Sequence, residues 1–141
     1  MFSVSVSGGG DRLTPYLKRC LKKASRDGTI DAALCSGDRA DLRIIADGCG
    51  APGSLLLSMG DQGRTLRCGL GYSDDLTLSS IRRNSAMLAL QQEVPALSGA
   101  VLEQQEIPGT IGAPAEPEAV LAAAGAMLLL GADAAGGLTL P

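Results

Sequence analysis

Residue types that usually carry group-transfer and acid–base chemistry are scarce in this chain. It contains no histidine, so it can neither carry a phosphohistidine nor use an imidazole as a general base. Its four cysteines, at positions 20, 35, 49 and 68, include no C-x-x-C pair, and the ligand spacing of a structural zinc site is missing. The sequence therefore predicts no metal site and no catalytic residue, and it favours a protein that is not an enzyme.

Three short segments could still bind or react. Residues 8–10 are glycines between a predicted strand and a predicted helix, and their N–H groups could hold an anion. A plain turn is the alternative, because the Gly-Lys-Ser/Thr ending of a P-loop is absent. Cys49 lies between two glycines and is the one candidate for a reactive thiol; catalysis by it is not expected, because without histidine its base would have to be Asp47, a lysine or a helix terminus. Asp74 and Asp75 could bind a cation or form a solvated turn.

The N-terminal elements follow from the spacing of apolar residues. Alternation over residues 2–6 predicts a strand, and apolar residues at intervals of three and four predict a helix over 11–25, which Gly28 ends. The predicted buried side of this helix consists of Leu13, Tyr16, Leu17, Cys20, Leu21 and Ala24. Its other side carries Lys18, Arg19, Lys22, Lys23 and Arg26. Residues 29–34 and 41–46 are predicted to form a hairpin with a turn at 36–38.

The remaining elements are separated by glycines and prolines. Residues 54–59 and 65–72 flank a turn and could each be helix or strand. A helix is predicted from Thr77 or Ser79 to Val94, ended by Pro95. The other predicted elements are a strand at 100–107, a loop at 108–117, a buried helix at 119–132 that is too short to cross a bilayer, and an edge strand at 138–140. Together they predict one α+β domain over 1–141, a two-layer sandwich with a mixed, mostly antiparallel sheet and helices packed on one face.

Charge is distributed unevenly along the chain. Residues 1–30 hold six Lys/Arg against two Asp, whereas residues 84–141 hold six acids and no Lys/Arg. The basic helix over 11–26 is either a solvated face or a docking surface for an acidic protein partner or a phosphate. Aromatic residues make up only 2% of the chain, so a base-stacking nucleic-acid site is not expected. Nothing resembles a secretion signal or a membrane span, and we expect a cytoplasmic protein with free thiols.

Four segments in order resemble the ATP-binding fold of the GHKL or HATPase superfamily, which includes sensor histidine kinases and DNA gyrase. In that family a helix leads to a hairpin whose second strand ends in a D-x-G-x-G loop, and a second glycine box follows. The corresponding segments here are 23–30 (KASRDGTI), 46–52 (ADGCGAP), 69–72 (GLGY) and 108–110 (PGT). The resemblance covers residues 1–112, and residues 113–141 add the C-terminal helix and the predicted edge strand.

The resemblance implies ATP and Mg²⁺ as cofactors, held in a cleft that the loops 46–52 and 69–72 share at one side of a sheet. Its implied site residues are Asp47, Gly48, Gly50, Gly69, Gly71 and Lys22. Two positions depart from the family pattern. The family's carboxylate that binds the adenine corresponds to Ala46, which has no side-chain acceptor. The family's magnesium-binding Asn corresponds to a position near Cys20 or Lys22, and neither supplies a hard oxygen ligand. These departures imply a degenerate member with weak or no nucleotide binding.

Three functions follow as hypotheses. The first is a non-catalytic regulatory or protein-binding module on a degenerate GHKL-like scaffold, for example one that binds a response regulator or a kinase in two-component signalling. The second is an active ATP-binding kinase or ATPase of the same superfamily. The third is a small assembly protein, such as a secretion chaperone or a phage structural adaptor. A homo-oligomer is compatible with each of them.

Overall fold

The computed structural model describes residues 1–8, 10–36, 39–46, 54–60, 64–71 and 73–141. Within these ranges the chain forms two helices, α1 Gly10–Arg26 and α2 Pro117–Leu129. The strands are β1 Phe2–Ser7, β2 Ala32–Leu34, β3 Leu42–Ala46, β4 Leu55–Met59, β5 Arg64–Cys68, β6 Leu76–Ile81, β7 Ser85–Leu90, β8 Val94–Pro95, β9 Val101–Leu102, β10 Gln105–Ile111 and β11 Leu138–Leu140. Neither helix of this described part is long and apolar enough to span a membrane.

Nine of the described strands form one mixed sheet in the order β11-β10-β7-β6-β5-β4-β3-β1-β2, and β8 and β9 pair separately. The antiparallel pairs hold most of the paired residues, while β1–β2, β1–β3, β5–β6 and β10–β11 are parallel. A large, mostly antiparallel sheet combined with two helices is the α+β class that the sequence predicts.

The predicted hairpin of β2 and β3 is wrong. Both strands pair with β1, which lies between them, and both run parallel to it. Two strands that are joined through a helix generally pair in parallel, and β1–α1–β2 is such a unit. Ala32–Leu34 pair with residues 2–4, and residues 42–45 pair with residues 4–7, so β2 ends level with the start of β3 on the other side of β1. The sequence predicted the two strands but not the strand that separates them, and residues 37 and 38 of the predicted turn lie outside the described residues.

The amphipathic character of α1 is confirmed. All six residues of its predicted apolar stripe are buried, and among the basic residues on its other side four are exposed and Lys23 is half-buried. The chain leaves the helix at Gly28, whose φ of 76° lies in the left-handed region. Glycine adopts this conformation without the steric cost that a side chain would add. The spacing of apolar residues was therefore sufficient to define both sides of α1.

The predicted helix over 77–94 is wrong, because these residues form the antiparallel hairpin β6–β7. Leu76 lies opposite Leu90 and Leu78 opposite Leu88, so the leucines alternate with smaller or polar residues along both strands. The N–H of Arg82 donates to the carbonyl of Ser85 over 2.7 Å and closes the turn. The period of two governs this segment. The flanking segments 54–59 and 65–72, left open by the sequence, contribute β4 and β5, which are also antiparallel.

The C-terminal part agrees with the sequence at α2 and β11 and differs before them. Pro108 and the three residues after it belong to β10 rather than to the predicted loop, and β11 forms the predicted edge strand beside it. Every residue from Ala119 to Leu129 of α2 is buried. A Cβ at Gly125 would lie 3.0 Å from a side-chain carbon of Leu57. The missing side chain therefore lets α2 pack closely against the sheet.

Candidate functional site

The flanks of both glycine loops lie at the same end of the sheet. Because β3 and β5 are each antiparallel to β4, which lies between them, they run in the same direction. Ala46 pairs with Leu55, and Leu55 pairs with Cys68. The two strand ends are therefore about 10 Å apart, twice the spacing of neighbouring strands. Asp47, Gly48, Cys49 and Gly50 lie outside the described residues.

The second glycine segment is closed by its own carboxylates. The N–H of Gly71 donates to Asp74 Oδ2 over 2.8 Å, and the N–H of Arg67 donates to Asp75 Oδ2 over 2.9 Å. A Cβ at Gly69 would lie only 2.6 Å from Asp74 Oδ2, so glycine is required for this close approach. Asp74 thus already accepts a hydrogen bond from the Gly71 N–H, which would otherwise be available to a phosphate of ATP. The negative charge of Asp74 also repels an anion at this position. Of the two readings of Asp74 and Asp75, the structure places them in a turn.

Lys22 lies away from the glycine segments. α1 begins at Gly10, directly after the end of β1, and Ser7 at that end pairs with Ile45 of β3. Lys22 is twelve residues further along α1, which corresponds to about 18 Å toward the opposite end of the sheet. It is exposed on the outer side of the helix. Gly69 and Gly71 therefore share an end of the sheet with Ala46, and Lys22 does not join them.

The outer side of α1 is a surface of positive charge without described counter-ions. We call it the basic face; it consists of Lys18, Arg19, Lys22, Lys23 and Arg26. The ion pairs within the described residues are those of the N-terminal amine with Asp31 and of Arg12 with Glu116, and neither involves the basic face. Lys23 and Arg26 lie in the last turn, where the helix dipole favours cations. The charges further back along the helix have no such compensation.

A cleft of about 700 Å³ lies beside the basic face, between α1 and the segment that leads into α2. We call it the α1–α2 cleft. One wall is a single side of α1, since its residues recur at intervals of three and four. The lining residues are Arg12, Pro15, Tyr16, Arg19, Ala113, Pro114, Ala115, Glu116, Pro117, Ala119 and Pro141. The Arg12 guanidinium lies 3.6 Å from the Glu116 carboxylate, and this pair joins the two walls.

Two titratable groups on α1 are buried. The pKa of Tyr16 is raised to about 12 by burial and, to a smaller extent, by the nearby Cys20, while the Arg19 guanidinium opposes the shift. Burial likewise raises the pKa of the Cys20 thiol to about 11, with Lys23 opposing. Cys20 lies 3.5 Å from the sulfur of Met127 and remains a thiol at neutral pH, so it packs rather than reacts. No described residue forms a hydrogen bond with the Tyr16 hydroxyl.

The sequence predicted the basic face and missed the α1–α2 cleft. Most of the lining residues come from two segments about a hundred positions apart, and Pro141 is a third contribution, so periodicity within any one segment could not reveal their contact. The available signals were the Arg12, Pro15, Tyr16 and Arg19 spacing on one side of a helix and the proline-rich run before α2. Within the described residues, no group of His, Cys, Asp and Glu is arranged to hold a metal ion.

Comparisons of this chain with protein-family models, with curated proteins and with solved structures give no match.

Proposed function

We propose that this chain is a non-catalytic protein-binding module whose basic face docks an acidic segment of a partner protein. The observation that carries the proposal is the set of five Lys/Arg side chains on one side of α1, none of which pairs with a described carboxylate. The opposite side of the same helix is anchored in the core by residues such as Leu17 and Leu21, which are 0% and 2% exposed. A helix that is held in place therefore presents all five cations on one side of the molecule.

Electrostatics within α1 support this proposal. Lys18 and Lys22, Arg19 and Lys23, and Lys22 and Arg26 are each four residues apart and lie side by side on the helix. Like charges at this spacing destabilise a helix by about 0.2–0.5 kcal/mol per pair. Carboxylates of a partner would replace this repulsion with attraction. They would also speed the encounter at low salt.

The scaffold of this proposal is a two-layer arrangement with both helices on one face of the sheet. The packing of α1 against α2 through Cys20 and Met127 supports it, as does the close approach of Gly125 to Leu57. Membership of the GHKL superfamily stays a prediction, and it loses the β2–β3 hairpin on which it partly relied.

Weak or absent nucleotide binding is part of the proposal. It is supported by the Asp74 carboxylate on the Gly71 amide. ATP with Mg²⁺ should therefore leave the melting temperature unchanged. A site that binds ATP would add about 2.7 kcal/mol to the free energy of unfolding at a ligand concentration of one hundred times Kd. A large increase in the melting temperature would favour the ATP-binding enzyme.

A direct test is titration with a labelled peptide of alternating Glu and Ala, at low and at physiological salt. The test variant is Lys18→Gln, Lys22→Gln, Arg26→Gln, which removes three charges of the basic face. The matched control is Arg64→Gln, Arg82→Gln, Arg83→Gln, which removes three exposed charges elsewhere and gives the same net charge. We expect the test variant to lose at least about tenfold in affinity, if each lost pair is worth about 0.5 kcal/mol. Equal losses in both variants would contradict the proposal.

A further inference from the structure

The α1–α2 cleft combines three features that a small-molecule site requires. Its volume of about 700 Å³ lies within the usual range for ligand pockets. Much of its lining is proline and alanine, which offer apolar contact. Arg12 and Arg19 supply positive charge from one wall, and Arg19 stacks over the Tyr16 ring, with 5.7 Å between the guanidinium carbon and the ring centroid.

A buried polar atom beside the cleft gives a second, independent observation. Tyr16 lines the cleft, is 6% exposed, and has a hydroxyl without a hydrogen-bond partner among the described residues. Buried hydroxyl groups are generally hydrogen-bonded, and an exception calls for an explanation. The phenol keeps its proton and can therefore donate to an anionic oxygen.

We propose that the α1–α2 cleft binds a small organic carboxylate with an apolar body. The carboxylate is bound by Arg12 with Arg19 beside it. The Tyr16 hydroxyl is screened from solvent in this structure, so the side chain turns toward the cleft to donate a hydrogen bond to the carboxylate. The apolar body lies against the prolines of the opposite wall. This binding goes beyond the docking of a protein on the basic face, because it uses a cleft to which Lys18, Lys22 and Arg26 do not contribute.

The pair of Arg12 and Glu116 gives the proposal a distinctive consequence. Glu116 contacts Arg12 across the cleft at 3.6 Å, and both side chains are largely exposed, 88% for Arg12 and 68% for Glu116. A ligand carboxylate must compete with Glu116 for this guanidinium. Removing the charge of Glu116 therefore increases affinity, and removing the charge of Arg12 decreases it. Exposed pairs of this kind are weak, so the increase is up to about fivefold.

The experiment follows the fluorescence of 8-anilinonaphthalene-1-sulfonate, an apolar anion, and its displacement by octanoate and by octanol. We expect octanoate to displace the probe from the wild-type protein and octanol to do so far less. Glu116→Gln should bind octanoate more tightly, whereas Arg12→Gln and Tyr16→Phe should each bind it more weakly. The matched controls are Glu106→Gln and Arg83→Gln, which change exposed charges outside the cleft and should leave the affinity unchanged.

Three outcomes would overturn the proposal. Equal displacement by octanoate and octanol would show that the charge has no role. An affinity that follows net charge, so that Glu106→Gln acts like Glu116→Gln, would place the binding outside the cleft. Displacement by the Glu-Ala peptide alone, with none by octanoate, would assign the cleft to the protein partner instead. Far-ultraviolet circular dichroism of each variant confirms that it is folded before its affinity is compared.

Discussion

The described residues of segment 69–75 and those of helix α1 differ in how their polar groups are satisfied. In the first, carboxylates of the segment itself bind the backbone amides of Gly71 and Arg67. In the second, five cations lack a described counter-ion, and a buried hydroxyl lacks a described partner. A segment that satisfies its own groups gains little from a ligand, whereas unsatisfied groups gain from one. Binding is therefore expected at α1 and not at the glycine segment, although the glycines are the better-known sequence signal.

The largest expected effect concerns the buried side of α1. The folded pKa values of Cys20 and Tyr16, about 11 and about 12, lie above the ordinary values of 9.0 and 10.0. The unfolded chain therefore loses these protons first, and the stability present below pH 9 is lost progressively as the pH rises toward 12. We expect a decrease on the order of 2–4 kcal/mol by pH 11. Urea unfolding at a series of pH values measures it.

The control for the alkaline prediction is the double variant Cys20→Ala, Tyr16→Phe. Its free energy of unfolding should decrease much less over the same pH range, because neither buried group can ionise. An equally steep decrease in the double variant would show that other groups are responsible.

The next effect concerns the glycine segment. Asp74→Ala removes the carboxylate that accepts from the Gly71 N–H, and we expect it to lower the free energy of unfolding by about 2 kcal/mol, the value of a hydrogen bond to a charged group. Denaturant titration measures this change. Glu106→Ala, an exposed carboxylate in β10, is the matched control and should stay within about 0.5 kcal/mol of the wild type. Similar values for both variants would mean that Asp74 does not close the segment.

A smaller effect of opposite sign is expected at Tyr16. Tyr16→Phe keeps the ring under Arg19 and removes the hydroxyl that has no described partner. Because burying such a group is unfavourable, the variant should be more stable by about 1 kcal/mol. Thermal unfolding without ligand measures the difference. Destabilisation by a similar amount would show that the hydroxyl is satisfied within the folded protein, and the contrast between the two regions would then weaken.

The smallest effect concerns the basic face. Lys22→Glu replaces two repulsive pairs, with Lys18 and with Arg26, by two attractive ones. The four changes sum to about 0.8–2 kcal/mol, and the helix dipole disfavours a glutamate this near the C-terminus, so we expect the free energy of unfolding to rise by about 0.5–1 kcal/mol at low salt and less at high salt. The same substitution should abolish binding of the acidic peptide. A variant that is both less stable and still able to bind would contradict the proposed role of this face.

The local spacing of apolar residues was enough to predict α1, which is buried on one side, α2, which is buried on all sides, and the edge strand β11. The stripe of α1, the buried α2 and the edge strand β11 are all confirmed, because the residues that define each of them are close in sequence. Strand pairing depends on distant residues. The sequence therefore did not show that β1 separates β2 from β3. The β6–β7 hairpin is local, and it was missed for a different reason: its leucines alternate with a period of two, and the helix prediction over 77–94 assigned them the wrong period.

The same distinction applies to the candidate sites. The basic face lies within one helix and was predicted, whereas the α1–α2 cleft joins Arg12 to Glu116 and could not be. The glycines at 69 and 71 did indicate a close approach of the backbone, but the group that approaches is the Asp74 carboxylate. A glycine pattern therefore predicts where another group can approach the backbone closely, but not whether that group is a ligand or a side chain of the same protein.

The most direct test of the central claim is quantitative capture of partners from the cells in which the chain is expressed. Three tagged proteins are compared: the wild type, the variant with Gln at 18, 22 and 26, and the equally charged control with Gln at 64, 82 and 83. We predict that one or more acidic proteins are retained by the wild type and by the control and are lost from the basic-face variant. Retention of the same proteins by all three would contradict docking on α1.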